Sequence, residues 1–371
     1  MIEARKSQLG DILETLCEQL DISSTQFKDA EKKYNAVGEW LSKPESEISL
    51  FNPTIYPQGS FKLGTVVKPL GQDEFDVDVV CEIKIPRTIG QKVVNNIVGK
   101  RLAENETYRG MLKPLKRGWR LNYAGNFHMD ILPSIPDVSK GNSCILIPDR
   151  KLQQWTESNP KGYSKWFKEQ MAIAEERRLI GKAEIEQISD QSPFVKTPLQ
   201  RVVQIFKRYR DIAFFNNDEN APISIVITTL AAKAYNGEIM LYDALINIIE
   251  KMPYYIEYVS DVPYVRNPTN LAENFAEKWA GRPELFRIFL DWLRILKSQL
   301  ETILKTSSSM TRMSETMQPI FGKNLVQKTI AQYADKIETK RRSGFLKTAL
   351  GTAMLSSKGT TIGRNTFYGT K

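Results

Sequence analysis

Three carboxylates and a glycine-serine pair are the residues of this chain whose spacing could do chemistry. Asp76 and Asp78 lie two residues apart in Phe75-Asp76-Val77-Asp78-Val79. In a strand they share one face, while Phe75, Val77 and Val79 turn to the core. Asp130 follows in Phe127-His128-Met129-Asp130-Ile131-Leu132-Pro133, where His128 and Asp130 share a face opposite Phe127, Met129 and Ile131. If the two strands are neighbours, three carboxylates converge. That is costly without cations, so the pattern calls for metal. Mg²⁺ takes carboxylate and phosphate oxygens with few protein ligands. Gln58-Gly59-Ser60-Phe61 follows the β-like run Thr54-Ile55-Tyr56 and reads as a strand-to-helix turn. There Gly59 admits a phosphate close to the backbone, Ser60 offers a hydroxyl, and the free N–H groups of the next turn favour anions. The set can hold two divalent metals over a nucleoside triphosphate.

Each piece alone has a plainer reading. Asp-x-Asp is common by chance and usually marks a solvated strand face, and Gly-Ser is usually an ordinary turn. The ordered combination is far more specific. Gly59-x4-Gly64 imitates a Walker A loop, but Thr65 and Val66 stand where Lys and Ser/Thr are needed, which excludes a P-loop. His128 is the only histidine, so any Ser-His-Asp site would have to be built around it. It is read instead as a structural residue beside Asp130.

The set resembles the polymerase-β-like nucleotidyltransferase superfamily, and within it the bacterial cGAS/DncV-like nucleotidyltransferases, which make cyclic oligonucleotide signals in anti-phage defence. The resemblance covers most of residues 40 to 305. It includes Gly59-Ser60, Phe75-Asp76-Val77-Asp78-Val79-Val80, His128-Met129-Asp130-Ile131, Thr197-Pro198-Leu199-Gln200 with Phe206-Lys207-Arg208-Tyr209-Arg210-Asp211, and Pro222-Ile223-Ser224-Ile225-Val226-Ile227. Pro148-Asp149-Arg150, Trp155, Asn159-Pro160 and Asn267-Pro268-Thr269-Asn270-Leu271 add to it.

The resemblance implies an α+β fold: a two-lobed polymerase-β-like nucleotidyltransferase core, a mixed sheet with flanking helices, plus a helical C-terminal lobe of OAS-like type. It implies that Asp76, Asp78 and Asp130 are catalytic and hold two Mg²⁺, with Mn²⁺ as the alternative. Gly59 and Ser60 would hold the donor triphosphate, and Lys207 and Ser224 its far phosphates. The donor would lie between the lobes. Nucleoside triphosphates, ATP expected among them, would become a cyclic di- or trinucleotide with release of pyrophosphate, and the product would reach a downstream effector. Ile225 stands where related animal enzymes carry a base-stacking aromatic. Tyr254, Tyr255, Tyr258 and Tyr264 are therefore the candidate base platforms. The ending Phe367-Tyr368-Gly369-Thr370-Lys371 resembles tails processed by ubiquitin-like conjugation machinery.

Composition bounds these readings. The 371 residues are 41% hydrophobic and 26% charged, enough for about two domains with full cores. No apolar run reaches the length of a membrane span. Cys17, Cys81 and Cys144 are odd in number and widely spaced, with neither a disulfide framework nor a zinc clip. Met1 to Lys6 has no signal-peptide core, and a reducing cytoplasm is expected. The net charge of +9 favours polyanionic partners, with basic clusters at Lys113/Lys116/Arg117/Arg120, Lys207/Arg208/Arg210 and Lys336/Lys340/Arg341/Arg342. Trp119 beside Arg120 is either a nucleic-acid stacking platform or a core residue. Without a zinc-clipped thumb, a nucleic-acid activator is doubtful, and constitutive or partner-gated activity is expected.

Along the chain, helices are expected over 3–20 and 24–43, the sheet over 51–147 with one helix near 89–104, and a long polar helix over 164–189. Gln191-Ser192-Pro193 reads as a lobe boundary. Thr197-x-x-Gln200 is a capping box with Pro198 at the first helical position. It opens a helix with Leu199, Val202, Val203, Phe206 and Tyr209 as its apolar stripe and Lys207 on another face. Residues 222–235 read as a central helix, and Asn270-x-x-Glu273 as a second capping box. A long helix covers 283–304, a Ser/Thr/Met-rich linker 306–318, and disorder is expected from about 341. The expected domains are 1–192 (N-terminal helices and catalytic lobe), 193–325 (helical lobe) and 326–371 (basic, flexible tail). Two readings compete with a cyclic-nucleotide synthase. One is an enzyme moving NMP onto RNA or protein, for which the Lys113–Arg120 cluster is the candidate docking surface. The other is a non-catalytic nucleic-acid sensor, against which the three carboxylates argue.

Overall fold

Strand alternation in Phe75–Glu82 decides the architecture. Phe75, Val77, Val79 and Cys81 enter one core, and Asp76 and Asp78 face the other way. The computed structural model describes residues 2–71, 74–125, 127–141, 143–149, 154–180, 195–306, 309–343, 347–348 and 360–361. The chain forms two units. One comprises Asp21–Gln170 with Tyr264–Phe275; the other comprises Met1–Leu20, Met171–Pro263 and Ala276–Lys371.

In chain order the helices are α1 (Ile2–Leu20), α2 (Ser24–Ser42), α3 (Gly59–Leu63), α4 (Gln91–Ala103), α5 (Glu106–Met111), α6 (Pro160–Ile180), α7 (Pro198–Ala213), α8 (Ser224–Ala234), α9 (Leu241–Lys251), α10 (Lys278–Gly281), α11 (Pro283–Thr306), α12 (Met310–Phe321) and α13 (Lys323–Arg342). The main strands are β1 (Thr54–Gln58), β2 (Phe75–Glu82), β3 (Leu112–Leu115), β4 (Gly118–Tyr123), β5 (Phe127–Pro136), β6 (Ile145–Asp149) and β7 (Gln154–Ser158).

The first unit is built on a mixed sheet of these seven strands in the order β1-β2-β5-β4-β3, with β6 and β7 continuing from the far end of β5. β2 and β5 are parallel, and β1 and β4 flank them antiparallel. Phe75, Val77, Val79, Leu121, Phe127, Met129 and Ile131 line one face and pack with Ala30, Val37 and Leu41 of α2 and Val94, Val98 and Leu102 of α4. Phe127 stacks on both Phe75 and Tyr123. Trp119 belongs to this core. Its indole N–H donates to Asn95 O at 2.9 Å, and its ring lies where a Cβ on Gly99 would stand, 2.0 Å from Cζ2. Gly99→Ala should therefore cost about 1–3 kcal/mol by overpacking, read as a lowered melting temperature. An unchanged melt would contradict this packing.

The second unit is helical. The α1 stripe of Leu9, Ile12, Leu13, Leu16 and Leu20 is fully buried, and α1 packs with α7, α9, α11 and α13. That is why residues 1–20 group with the helical unit and not, as the sequence led us to expect, with the catalytic lobe. α7 is capped as expected: Thr197 Oγ1 accepts from Gln200 N at 3.4 Å, and Gln200 Oε1 accepts from Thr197 N at 2.9 Å.

Three further expectations fail. The 306–318 linker is largely α12: Ser309 caps it, accepting from Arg312 N at 3.2 Å, and Met313, Met317, Ile320 and Phe321 recur at helical spacing and are buried. The 326–371 tail begins as α13, which packs on α1 and α12, with Val326 and Tyr333 buried and Lys336 Nζ 2.6 Å from Glu18 Oε2. Asn270-x-x-Glu273 opens no helix: Asn270–Asn274 is a strand paired with Arg266–Asn267, and Glu273 Oε2 accepts from Asn267 Nδ2 at 2.8 Å. The Gln191–Pro193 boundary, residues 181–189 of the long polar helix and the Phe367–Lys371 motif lie outside the described residues.

Candidate active site

Strand register assembles the carboxylates. Asp78 pairs with Asp130 across the parallel β2–β5 ladder, and Asp76 pairs with His128. One rung runs Gln58, Asp78, Asp130, Arg120, Lys113 across five strands; the next holds Asp76, His128 and Asn122. Register partners share a face, so these side chains rise together from the sheet, opposite the Phe75–Val77–Val79 core. One rung beyond Asp78 the same face turns apolar, with Tyr56, Val80 and Leu132 against Ile145 and Ile147.

Gly59 is fixed by two constraints. Its φ is +61°, in the left-handed region that favours glycine, and a Cβ there would lie 2.2 Å from Asp78 Oδ2. The turn that starts α3 is thus built against the carboxylate, with Ser60 next in line. Gly64 ends the helix at φ +68°, donating its N–H to Phe61 O at 3.3 Å.

Arg120, read from sequence as part of a surface basic cluster, bridges the acids. Its Nε donates to Asp130 Oδ1 at 2.6 Å, and its Nη2 donates to Asp130 Oδ2 at 2.8 Å and to Asp76 Oδ1 at 3.2 Å. His128 stands beside Asp76, its Nδ1 3.6 Å from Asp76 Oδ1 and its Nε2 2.8 Å from Glu74 Oε2. Burial raises the Asp76 carboxyl above its usual range; Arg120 opposes this, Asp130 adds to it, and His128 opposes it again. The side chain is still 54% exposed, so solvent screens the effect.

Three carboxylates on adjacent positions suit a hard divalent ion by donor type. As they stand, the bidentate Arg120 bond holds both oxygens of Asp130, and among the described residues no three His, Cys, Asp or Glu side chains are gathered as ligands of one ion.

The basic cluster is largely consumed within the unit. Lys116 Nζ and Arg117 Nε lie 3.1 and 3.2 Å from the buried Asp149, and Arg120 is on the acids. Three members of the cluster that the sequence offers as a candidate docking surface are thus engaged with carboxylates, while Lys113 and Lys116 remain exposed. In the helical unit, Lys207 is buried at 7% exposure on α7. The Ser224 hydroxyl accepts from Arg210, which is itself held by Asp211 Oδ1 at 2.6 and 3.0 Å. Arg210, one turn beyond Lys207, was given no role in the sequence, where it stood in a basic cluster and in the segment that carries the resemblance.

A mixed sheet that carries its acids at register positions on one face, beside a glycine-serine turn, is the arrangement that the resemblance to polymerase-β-like nucleotidyltransferases implies. A model of the Second Messenger Oligonucleotide or Dinucleotide Synthetase domain matches residues 8–170. A protein of Roseivirga ehrenbergii named c-di-GMP synthase is 35% identical over 98% of both chains. The Bradyrhizobium diazoefficiens cyclic dinucleotide synthase CdnG is 23% identical over 89% of this chain and 84% of its own. The structure of CdnG in complex with GTP superposes with a TM-score of 0.72, at 22% identity, over 88% of this chain and 99% of that one. The chain belongs to the bacterial cGAS/DncV-like nucleotidyltransferases, and it is an enzyme of that class. No helix among the described residues is long and apolar enough to cross a membrane.

Proposed function

We propose that this protein is a metal-dependent synthase that joins two GTP molecules into cyclic di-GMP with release of two pyrophosphates. The observation that carries the reaction type is the Asp78–Asp130 register pair with Gly59 pressed against Asp78. The guanine assignment rests on the 35% identical relative named c-di-GMP synthase and departs from the expectation of ATP.

Mg²⁺, or Mn²⁺ in its place, would be held by Asp76, Asp78 and Asp130 and would neutralise charge on the phosphates and the leaving pyrophosphate. Gly59 lets the donor triphosphate approach the α3 turn, and Ser60 donates its hydroxyl to it. Lys207 and Ser224 are proposed to grip the far phosphates, and Arg210 positions the Ser224 hydroxyl. In each transfer the acceptor hydroxyl oxygen bonds to the α-phosphorus, the bond to the β-phosphate oxygen breaks, and Asp130 receives the hydroxyl proton. Positioning and charge stabilisation are the main demands of such transfers. The second transfer closes the ring.

The anti-phage setting, a cytoplasmic location, a downstream effector that binds the cyclic product, and ubiquitin-like conjugation at Phe367–Lys371 rest on the family resemblance. Transfer of NMP onto RNA or protein is the competing reading. It is weakened by the engagement of Lys116, Arg117 and Arg120 with carboxylates.

Base choice is tested by giving the protein each NTP alone and in pairs with Mg²⁺, then separating products by anion-exchange chromatography. Cyclic di-GMP from GTP alone is expected. A product formed only when a second base is present would contradict the guanine assignment and leave the reaction class standing.

A further inference from the structure

Arg120 lies inside the carboxylate site without being a ligand or a nucleophile. Resting on the metal-dependent reading above, we infer that Arg120 is a positioning residue that acts as an internal cation, holding Asp130 and Asp76 until a divalent metal displaces it. The rung Asp78–Asp130–Arg120 brings the guanidinium across the acids by backbone pairing alone. Both oxygens of Asp130 accept from it, at 2.6 and 2.8 Å, and Asp76 Oδ1 accepts at 3.2 Å. The side chain is only 28% exposed, so the contact is more than a flexible surface pair. A guanidinium keeps its charge at any working pH, and its fork matches a carboxylate through two parallel bonds. A metal that takes Asp130 as a ligand needs an oxygen that Arg120 already holds, so the two cations compete. The arrangement keeps like charges from repelling while the site is empty of metal, and it lowers metal affinity until nucleotide phosphates add their own oxygens.

Competition has a signature that damage to the fold does not share: removing the residue tightens metal binding. The experiment titrates Mn²⁺ without nucleotide into the parent protein, Arg120→Gln and Arg120→Lys, following the free-ion signal by electron paramagnetic resonance. Thermal melts are recorded with and without metal. Arg120→Gln should bind Mn²⁺ on the order of tenfold more tightly, the scale of one charge-assisted hydrogen bond. Arg120→Lys, a point charge without the fork, should fall between. Metal-free Arg120→Gln should melt below the parent, and saturating Mn²⁺ should raise its melt more than the parent's. Equal or weaker Mn²⁺ binding by Arg120→Gln, with Arg120→Lys still melting cooperatively, overturns the inference. If the parent and both variants bind no Mn²⁺, even with a non-hydrolysable GTP analogue, the metal-dependent reading fails and takes the inference with it.

Discussion

Asp76→Asn should lose pyrophosphate release by roughly 10³-fold or more while the metal-free protein stays as stable as the parent or becomes more so. The activity loss follows from removing a proposed metal ligand from the Asp76–Asp78–Asp130 group. The stability sign follows from electrostatics. Burial raises the folded-state affinity of Asp76 for its proton, and nearby Asp130 adds to it. A carboxyl raised in this way stabilises the fold at low pH, and that contribution is lost as pH rises through its folded value. Removing the charge should therefore help most above the ordinary carboxylate range and make little difference below it. The part-exposed Arg120 contact at 3.2 Å is the opposing loss, and it is small. Melts of both proteins at about pH 4 and about pH 8 check the sign: the variant's advantage should grow with pH. A variant that retained over ~10% of activity would remove Asp76 from the metal site.

Gly59→Ala should sharply lower activity. The new Cβ would sit 2.2 Å from Asp78 Oδ2, so the carboxylate or the turn must move. The backbone at φ +61° adds strain of about 1–2 kcal/mol for a residue with a side chain. Misplacement of a catalytic group by about 1 Å costs on the order of 10²-fold in rate, so kcat should fall by at least that much while the protein still folds. The comparison is Gly125→Ala, at φ +77° with nothing within 4 Å of its Cβ position: backbone strain without a clash. If both variants lose activity equally, Gly59 matters for the chain's conformation and not for its contact with Asp78.

The carboxylate face was legible because strand alternation is local: Phe75, Val77 and Val79 against Asp76 and Asp78 could face only two ways, and the structure buries the apolar set. The α7 cap was legible for the same reason, since Thr197 and Gln200 bond within one turn. Arg120 was not. Its place beside Asp130 depends on the β4–β5 register, a long-range pairing that composition does not encode, so in the sequence it looked like one member of a surface cluster. α12 was hidden by its Ser and Thr residues, although Met313, Met317 and Ile320 already carried a helical period. Glu273 was misread because a capping-box pattern does not distinguish a helix start from a hairpin in which Asn267 supplies the partner. The roles of Lys207 and Ser224 came from resemblance, and what the structure adds is the engagement of the Ser224 hydroxyl by Arg210.

The central claim is that the carboxylate face closes nucleotides into a ring. The most direct measurement incubates the protein with Mg²⁺ and all four NTPs, treats the mixture with phosphatase, and examines the survivors by mass spectrometry. The account predicts a phosphatase-resistant cyclic dinucleotide at the mass of cyclic di-GMP, absent when Asp76→Asn replaces the parent. Pyrophosphate released with no resistant small nucleotide, and nucleotide label recovered on added RNA or on protein, would contradict it.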